Sequence, residues 1–169
     1  LADWQHEPLD IKHDIFGKSR MAFINTQAEN RRNVNLSEAD TVVQLIMEAY
    51  ELFEADFDTE TLGVITPYRA QIAEIRSRLL EKSPRLYNLV TVDTVERYQG
   101  SQRRIIIISM AVNSPYQLKN LHVLNDDGTV DKKLNVAITR AREHLVIVGC
   151  SEILSQSPIY NALLQFLED

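Results

Sequence analysis

Two arginines, Arg140 and Arg142, stand in the stretch 132–149, KKLNVAITRAREHLVIVG, where a short amphipathic run leads without a break into an apolar one. Read at about 100° per residue, Leu134, Ala137, Ile138 and Ala141 fall on one stripe of a helix over 134–143. Both arginines lie outside that stripe, about 160° apart by the helical count. Packing alone does not account for them. The run 144–148, HLVIV, then reads as a central parallel strand, because an unbroken branched sequence leaves no face for solvent. A guanidinium held at a fixed distance from a sheet suits phosphate chemistry, being always charged and forked to match phosphate oxygens.

A second candidate is Thr66, at the end of the apolar run 61–66 and just before Pro67, a residue favoured in the first turn of a helix. A strand, tight turn and helix in that order put free N–H groups and the Thr66 hydroxyl at the carboxyl edge of a sheet, where an anion is welcome. The same hydroxyl could equally serve as a helix cap. The string FGKS at 16–19 is not a phosphate loop: the glycine required five residues before the GK pair is Lys12 here, and no strand leads into it. The histidines at 6, 13, 122 and 144 lack the close spacing of a zinc site, so no metal is expected. The single cysteine, Cys150, follows an apolar run and reads as a small inert core residue.

The elements that must position these groups follow from composition and period. With 169 residues and 44% hydrophobic content the chain can bury one core of its own. No apolar run is long enough for a membrane span and no leader is evident, so a reducing cytoplasmic or nuclear setting and no membrane partner are expected. The net charge of −6 argues against gripping nucleic acid by charge alone. The charge is uneven, however, with no Lys or Arg between Arg32 and Arg69 and a cluster from Arg97 to Arg142 that suggests a basic working edge.

Along the chain, residues 1–19 read as a connecting segment and 20–169 as one domain. Strands are expected at 21–25, 61–66, 89–92 and 104–111. A helix is expected from Ser37, with Asp40 three residues on as a capping box; Glu48, Glu51 and Glu54 form its solvated face. A second helix carries Tyr68, Ile72, Ile75 and Leu79 on its inner stripe until Ser83 and Pro84 stop it. Residues 113–131 are expected to be an irregular excursion and 159–167 a short amphipathic helix. Strands alternating with helices make an α/β domain with a mainly parallel sheet, whose ligands belong at the carboxyl ends of the strands.

Three stretches then carry a family resemblance. GVITPYRAQ at 63–71 resembles motif IV of the second RecA-like domain of superfamily 1 helicases, TVDTVERYQGSQRRIIIIS at 91–109 resembles motif V, and LNVAITRARE at 134–143 resembles motif VI. Within that superfamily the similarity is to the branch holding the nonsense-decay, senataxin-type and nuclease-helicase proteins, and the lead-in LND at 124–126 is similar too. The resemblance covers roughly residues 20–150 and implies a RecA-like, P-loop NTPase-type fold without its Walker A loop. It implies a helicase using ATP and Mg2+, bound mainly through a first RecA-like domain, and acting on single-stranded DNA or RNA. Arg140 matches the arginine finger of the family. Gln99, Gly100, Gln102 and Arg142 fall on the nucleotide side, with Arg142 a structural or relay residue. Gln102 replaces the glutamate usual in QGxE. Thr66, Tyr68, Thr91 and Asp93 fall on the nucleic-acid track, with Tyr68 doubling as a core residue. A catalytically silent binding module, with the arginine helix as a docking surface, is the alternative.

Overall fold

The computed structural model describes residues 20–123 and 132–168, so the segment 1–19, the FGKS string and the lead-in 124–126 lie outside the described residues. Five strands make one sheet in the order β1-β5-β4-β2-β3, with every pairing parallel. They are β1 Met21–Asn25, β2 Leu62–Ile65, β3 Thr91–Asp93, β4 Arg103–Ser109 and β5 Ala141–Gly149. The side-chain period of two divides the central strand between two cores. Ile105 and Ile107 face one core with Val146 and Val148, and Ile106 and Ile108 face the other with Leu145 and Ile147. The first core is closed by α1 Leu36–Phe53, α2 Arg69–Lys82 and α3 Pro84–Leu89. The second is closed by α4 Pro115–Val123, α5 Lys132–Thr139, α6 Ser151–Leu154 and α7 Pro158–Glu168. This is the α/β, RecA-like arrangement expected, with helices on both faces of a parallel sheet.

Several boundaries differ from the local reading. The cap of α1 is Asn35, two residues before Ser37: its Oδ1 accepts from the Glu38 N–H at 2.8 Å, and its Nδ2 donates to Gln27 O at 2.9 Å and Asn113 Oδ1 at 2.8 Å. An amide accepts and donates at once, so at this fully buried position it satisfies more groups than a hydroxyl. The Ser37 hydroxyl instead donates to Asn35 Oδ1, and Asp40 pairs with Arg78. Asn35→Ala is expected to lower the unfolding free energy of the domain by about 2 kcal/mol, the upper end for a helix cap, as chemical denaturation would read.

Pro84 starts a helix where it was expected only to stop one. The Ser83 hydroxyl accepts from the Leu86 N–H and Pro84 stands in the first turn of α3, so Leu89 is helical and β3 begins at Thr91. Likewise Pro115 opens α4, with the Ser114 hydroxyl accepting from the Gln117 N–H, inside the stretch expected to be irregular. Pro67 is not in a helix: α2 begins at Arg69 with Tyr68 as its N-cap residue. The largest difference is at the arginines. The helix α5 stops at Thr139, and Ala141, Arg142 and Glu143 belong to β5. The Arg103 N–H donates to the Arg140 carbonyl at 2.9 Å, drawing the chain into the sheet one turn earlier than the apolar stripe suggested.

Candidate functional site

Arg140 is the joint between α5 and β5. Leu134, Ala137 and Ile138 bury one side of α5 and fix its last turn against the sheet. The half-buried Arg140 side chain folds back over that turn. Its Nε donates to Val136 O at 3.2 Å, one Nη to Tyr98 O at 3.4 Å and the other to Thr139 Oγ1 at 3.0 Å. A cation at a helix carboxyl end is favourably placed. None of these partners is a carboxylate, and among the described residues Arg140 forms no ion pair.

The QGSQ loop lies against the same joint. It follows a 3-10 turn, Val95–Tyr98, that leads from the end of β3 toward the start of β4. The exposed Gln102 donates from Nε2 to Thr139 O at 3.3 Å, tying the loop to the end of α5. Gly100 has φ +72, and a Cβ there would meet no atom within 4 Å. The glycine therefore answers a left-handed backbone turn with open space around it. Gln99 is exposed beside it. Arg142 lies on β5 at a register irregularity opposite Arg103–Ile105, so the helical angle between the two arginines does not apply. It makes no hydrogen bond or ion pair among the described residues, whereas Arg104 is taken up by Glu143 at 2.8 Å and stacks on Phe53. The basic edge is thus partly neutralised at Arg104, while Lys133, away from it, pairs with Glu96 at 3.0 Å.

These groups gather where β4 and β5 begin. That is the amino edge of the sheet and not the carboxyl edge where ligands were expected. Thr66 and Asp93 stand at the opposite, carboxyl edge. The Thr66 N–H donates to Asp93 O at 3.2 Å, and the Asp93 carboxylate accepts from the Thr94 N–H at 2.7 Å. Thr66 does not cap α2: its hydroxyl is fully buried, has no hydrogen-bond partner, and lines a cavity of about 340 Å³ with Arg69, Thr94, Glu96 and Lys133. Thr91 is at the amino end of the three-residue β3, where its carbonyl accepts from the Tyr98 hydroxyl. Tyr68 is half-buried against the second core, and its hydroxyl meets Gln117 while burial pushes the phenol's pKa up. The structure therefore brings Gln99, Gly100, Gln102 and Arg140 together, and separately Thr66 with Asp93.

A buried polar hub was missed. Glu38 is fully buried, and its Oε1 accepts from the Ser109 hydroxyl and the Ala111 N–H, both at 2.9 Å. Gln71, also fully buried, donates to Ser109 Oγ at 3.1 Å and exchanges two bonds with the Asn35 backbone. The sequence carried a signal for both: Glu38 stands four residues before Val42 and Gln71 four before Ile75, on stripes otherwise apolar. Burial pushes the Glu38 carboxyl up to about 7, against the hydrogen bonds from Ala111 and Ser109 that favour its charged form. A carboxyl raised on folding holds its proton in the native state after the unfolded chain has lost it. Stability is then full below the unfolded pKa and falls as pH rises toward about 7, with a slope of at most about 1.4 kcal/mol per pH unit. Glu38→Gln should flatten this slope, read from denaturation midpoints between pH 5 and 8.

Residues 4–152 match a family model described as an AAA domain. An uncharacterized ATP-dependent helicase of Methanocaldococcus jannaschii is 30% identical, over 93% of this chain and 22% of its own length. The DNA replication ATP-dependent helicase/nuclease of Bos taurus is 32% identical, over 87% of this chain and 14% of its own length. Regulator of nonsense transcripts 1 of Dictyostelium discoideum is 32% identical, over 80% of this chain and 10% of its own length. The chain belongs to this family and is a superfamily 1 helicase domain of the branch that these relatives share. It spans between 10% and 22% of the length of the three relatives named.

Proposed function

We propose that this chain is the second motor domain of an ATP-dependent DNA or RNA helicase, supplying Arg140 as the arginine finger and part of the nucleic-acid track. The observation that carries the reading is the state of Arg140: a guanidinium at the sheet's amino edge that, among the described residues, is bonded only to carbonyls and a hydroxyl and has no ion pair. Such bonds are readily exchanged for phosphate oxygens, and the charge would stabilise the transferred phosphoryl group as negative charge builds on it. Gln99 and Gly100 offer an open loop beside it, Gln102 holds that loop to α5, and Arg142 is the second cation of the edge.

ATP supplies the phosphoryl group and Mg2+ the neighbouring divalent charge. The residues here fit only part of that pair. Among the described residues no group of three or more His, Cys, Asp or Glu could hold a metal ion, and the sequence has no phosphate loop. Arg140 fits a phosphate oxygen, while the metal and the greater part of the nucleotide belong to a first RecA-like domain. Thr66, Tyr68, Thr91 and Asp93 contribute the track, which contacts the strand's backbone and is largely indifferent to base sequence. No described helix is long and apolar enough to cross a membrane. The test is strand-stimulated ATP hydrolysis by the full-length protein, which should be lost in Arg140→Ala while strand binding persists. Unchanged hydrolysis would reduce Arg140 to a residue that closes α5.

A further inference from the structure

We propose that the groove between the loop 29–33 and the start of α4 is a stacking station for one nucleotide of a single-stranded nucleic acid, with Tyr116 as its aromatic platform and Arg31 and Arg32 as its phosphate contacts. This rests on the helicase reading above and adds to the track a place whose platform and phosphate contacts lie outside the three helicase motifs. The groove has a volume of about 510 Å³ and lies beside Tyr68, so it continues the proposed track away from Thr66.

Three features of the groove suit this occupant. First, Arg31 and Arg32 are exposed, and neither guanidinium makes a hydrogen bond or ion pair among the described residues. The nearby carboxylate of Glu29 is already committed, accepting from the Leu36 N–H at 2.7 Å and the Ser37 N–H at 2.9 Å at the start of α1. Burial raises the Glu29 carboxyl, but those two donors, the Ser37 hydroxyl and the charge of Arg31 together outweigh burial and hold its pKa below the ordinary value. In a chain of net charge −6, two adjacent exposed arginines, without an ion pair among the described residues and with only the distant charge of Glu29 acting on Arg31, form a local exception that an anionic strand would complement.

Second, Tyr116 is 68% exposed on the first turn of α4. An aromatic ring left in water next to free guanidinium groups is the combination that holds single strands without regard to sequence, since every base offers a flat face. An acidic peptide would use the arginines and leave the ring idle.

Third, the arginine loop is held rigid relative to the ring. Asn113 is 8% exposed; its Oδ1 accepts from the Glu29 N–H at 3.2 Å, and its Nδ2 donates to Arg31 O at 3.0 Å and Val34 O at 2.7 Å. Asn33 within the loop has φ +65, a turn that these bonds stabilise. Asn113 precedes Tyr116 by three residues, so one side chain clips both halves of the groove together. A groove already in shape loses less on binding.

The experiment is fluorescence anisotropy of the full-length protein with a labelled homopolymeric single strand across a salt series. Tyr116→Ala should weaken binding about 5- to 150-fold with the salt slope unchanged, and Tyr116→Phe should restore it. The double variant Arg31→Ala, Arg32→Ala should lower the slope of log affinity against log salt by about 1.4. Binding by Tyr116→Ala within twofold of the unmodified protein would overturn the station, even where hydrolysis still depends on Arg140 and the helicase reading stands. A changed salt slope with no dependence on Tyr116 would leave two phosphate contacts without an aromatic platform and also overturn the station. An unmodified protein that binds no strand and hydrolyses no ATP would remove both readings.

Discussion

Replacing Arg140 with alanine in the full-length protein is expected to lower kcat for strand-stimulated ATP hydrolysis about 10³- to 10⁵-fold, the range found for arginine fingers. The KM for ATP should change far less, because the finger's contribution grows with the charge of the transition state and is small in the bound ground state. Stability should hardly move. The side chain is half-buried and its three bonds go to Val136 O and Thr139 Oγ1 in the last turn of α5, which water can serve instead, and to Tyr98 O, which also accepts from the Ser101 N–H. Arg140→Lys keeps the charge and loses the planar fork, so it should recover only part of the rate. Rates measured with saturating single strand, beside a thermal melt of each variant, separate these effects. A fall in rate that tracked a fall in melting temperature would assign Arg140 to the fold.

Tyr98→Ala carries the second large effect, on stability, at about 3–5 kcal/mol for the domain's unfolding transition. The ring is 1% exposed and sits against Gly63 in β2, so closely that a Cβ on that glycine would fall on the ring. Its hydroxyl donates to Thr91 O, and the Arg103 guanidinium lies over its face at 5.3 Å from the centroid. Gly63 is small because Tyr98 is large, so removing the ring leaves a hole that no neighbouring side chain can fill. Tyr98→Phe keeps the ring and should cost about 1 kcal/mol for the lost hydrogen bond. The two variants also differ in function. The Tyr98 carbonyl meets Arg140, and Gln99 and Gly100 follow it in the chain, so the alanine variant should also slow hydrolysis while the phenylalanine variant should not.

Arg140 and Arg142 could both be singled out before any fold was known because they lie off an apolar stripe and next to a strand that has to be buried, and the resemblance of LNVAITRARE to motif VI marked Arg140 as the candidate finger. The strands themselves were equally plain: RIIIISMA and HLVIV have no polar face, and both became central strands. Boundaries were less legible. Ser37 followed by Asp40 has the spacing of a capping box, but Asn35 took the role because Gln71 and Asn113, 36 and 78 residues away, needed its other groups. The run through Ala141 keeps helical period, and only the N–H of Arg103 decides that the chain leaves the helix at Thr139. Arg31, Arg32 and Tyr116 could not be associated at all, since about 80 residues separate them and Asn113 is the link.

What the sequence by itself determined is the class of fold, the family and the identity of the candidate finger, because apolar period and motif spacing are local properties that survive whatever the chain packs against. Tertiary structure alone decided which edge of the sheet each group occupies. Gln99, Gly100, Gln102 and Arg140 meet at the amino edge because β4 and β5 are neighbours and begin together, while Thr66 and Asp93 meet at the other because β2 and β3 end together. Strand order and hydrogen bonds between distant residues set those meetings, and neither leaves a periodic mark in the chain.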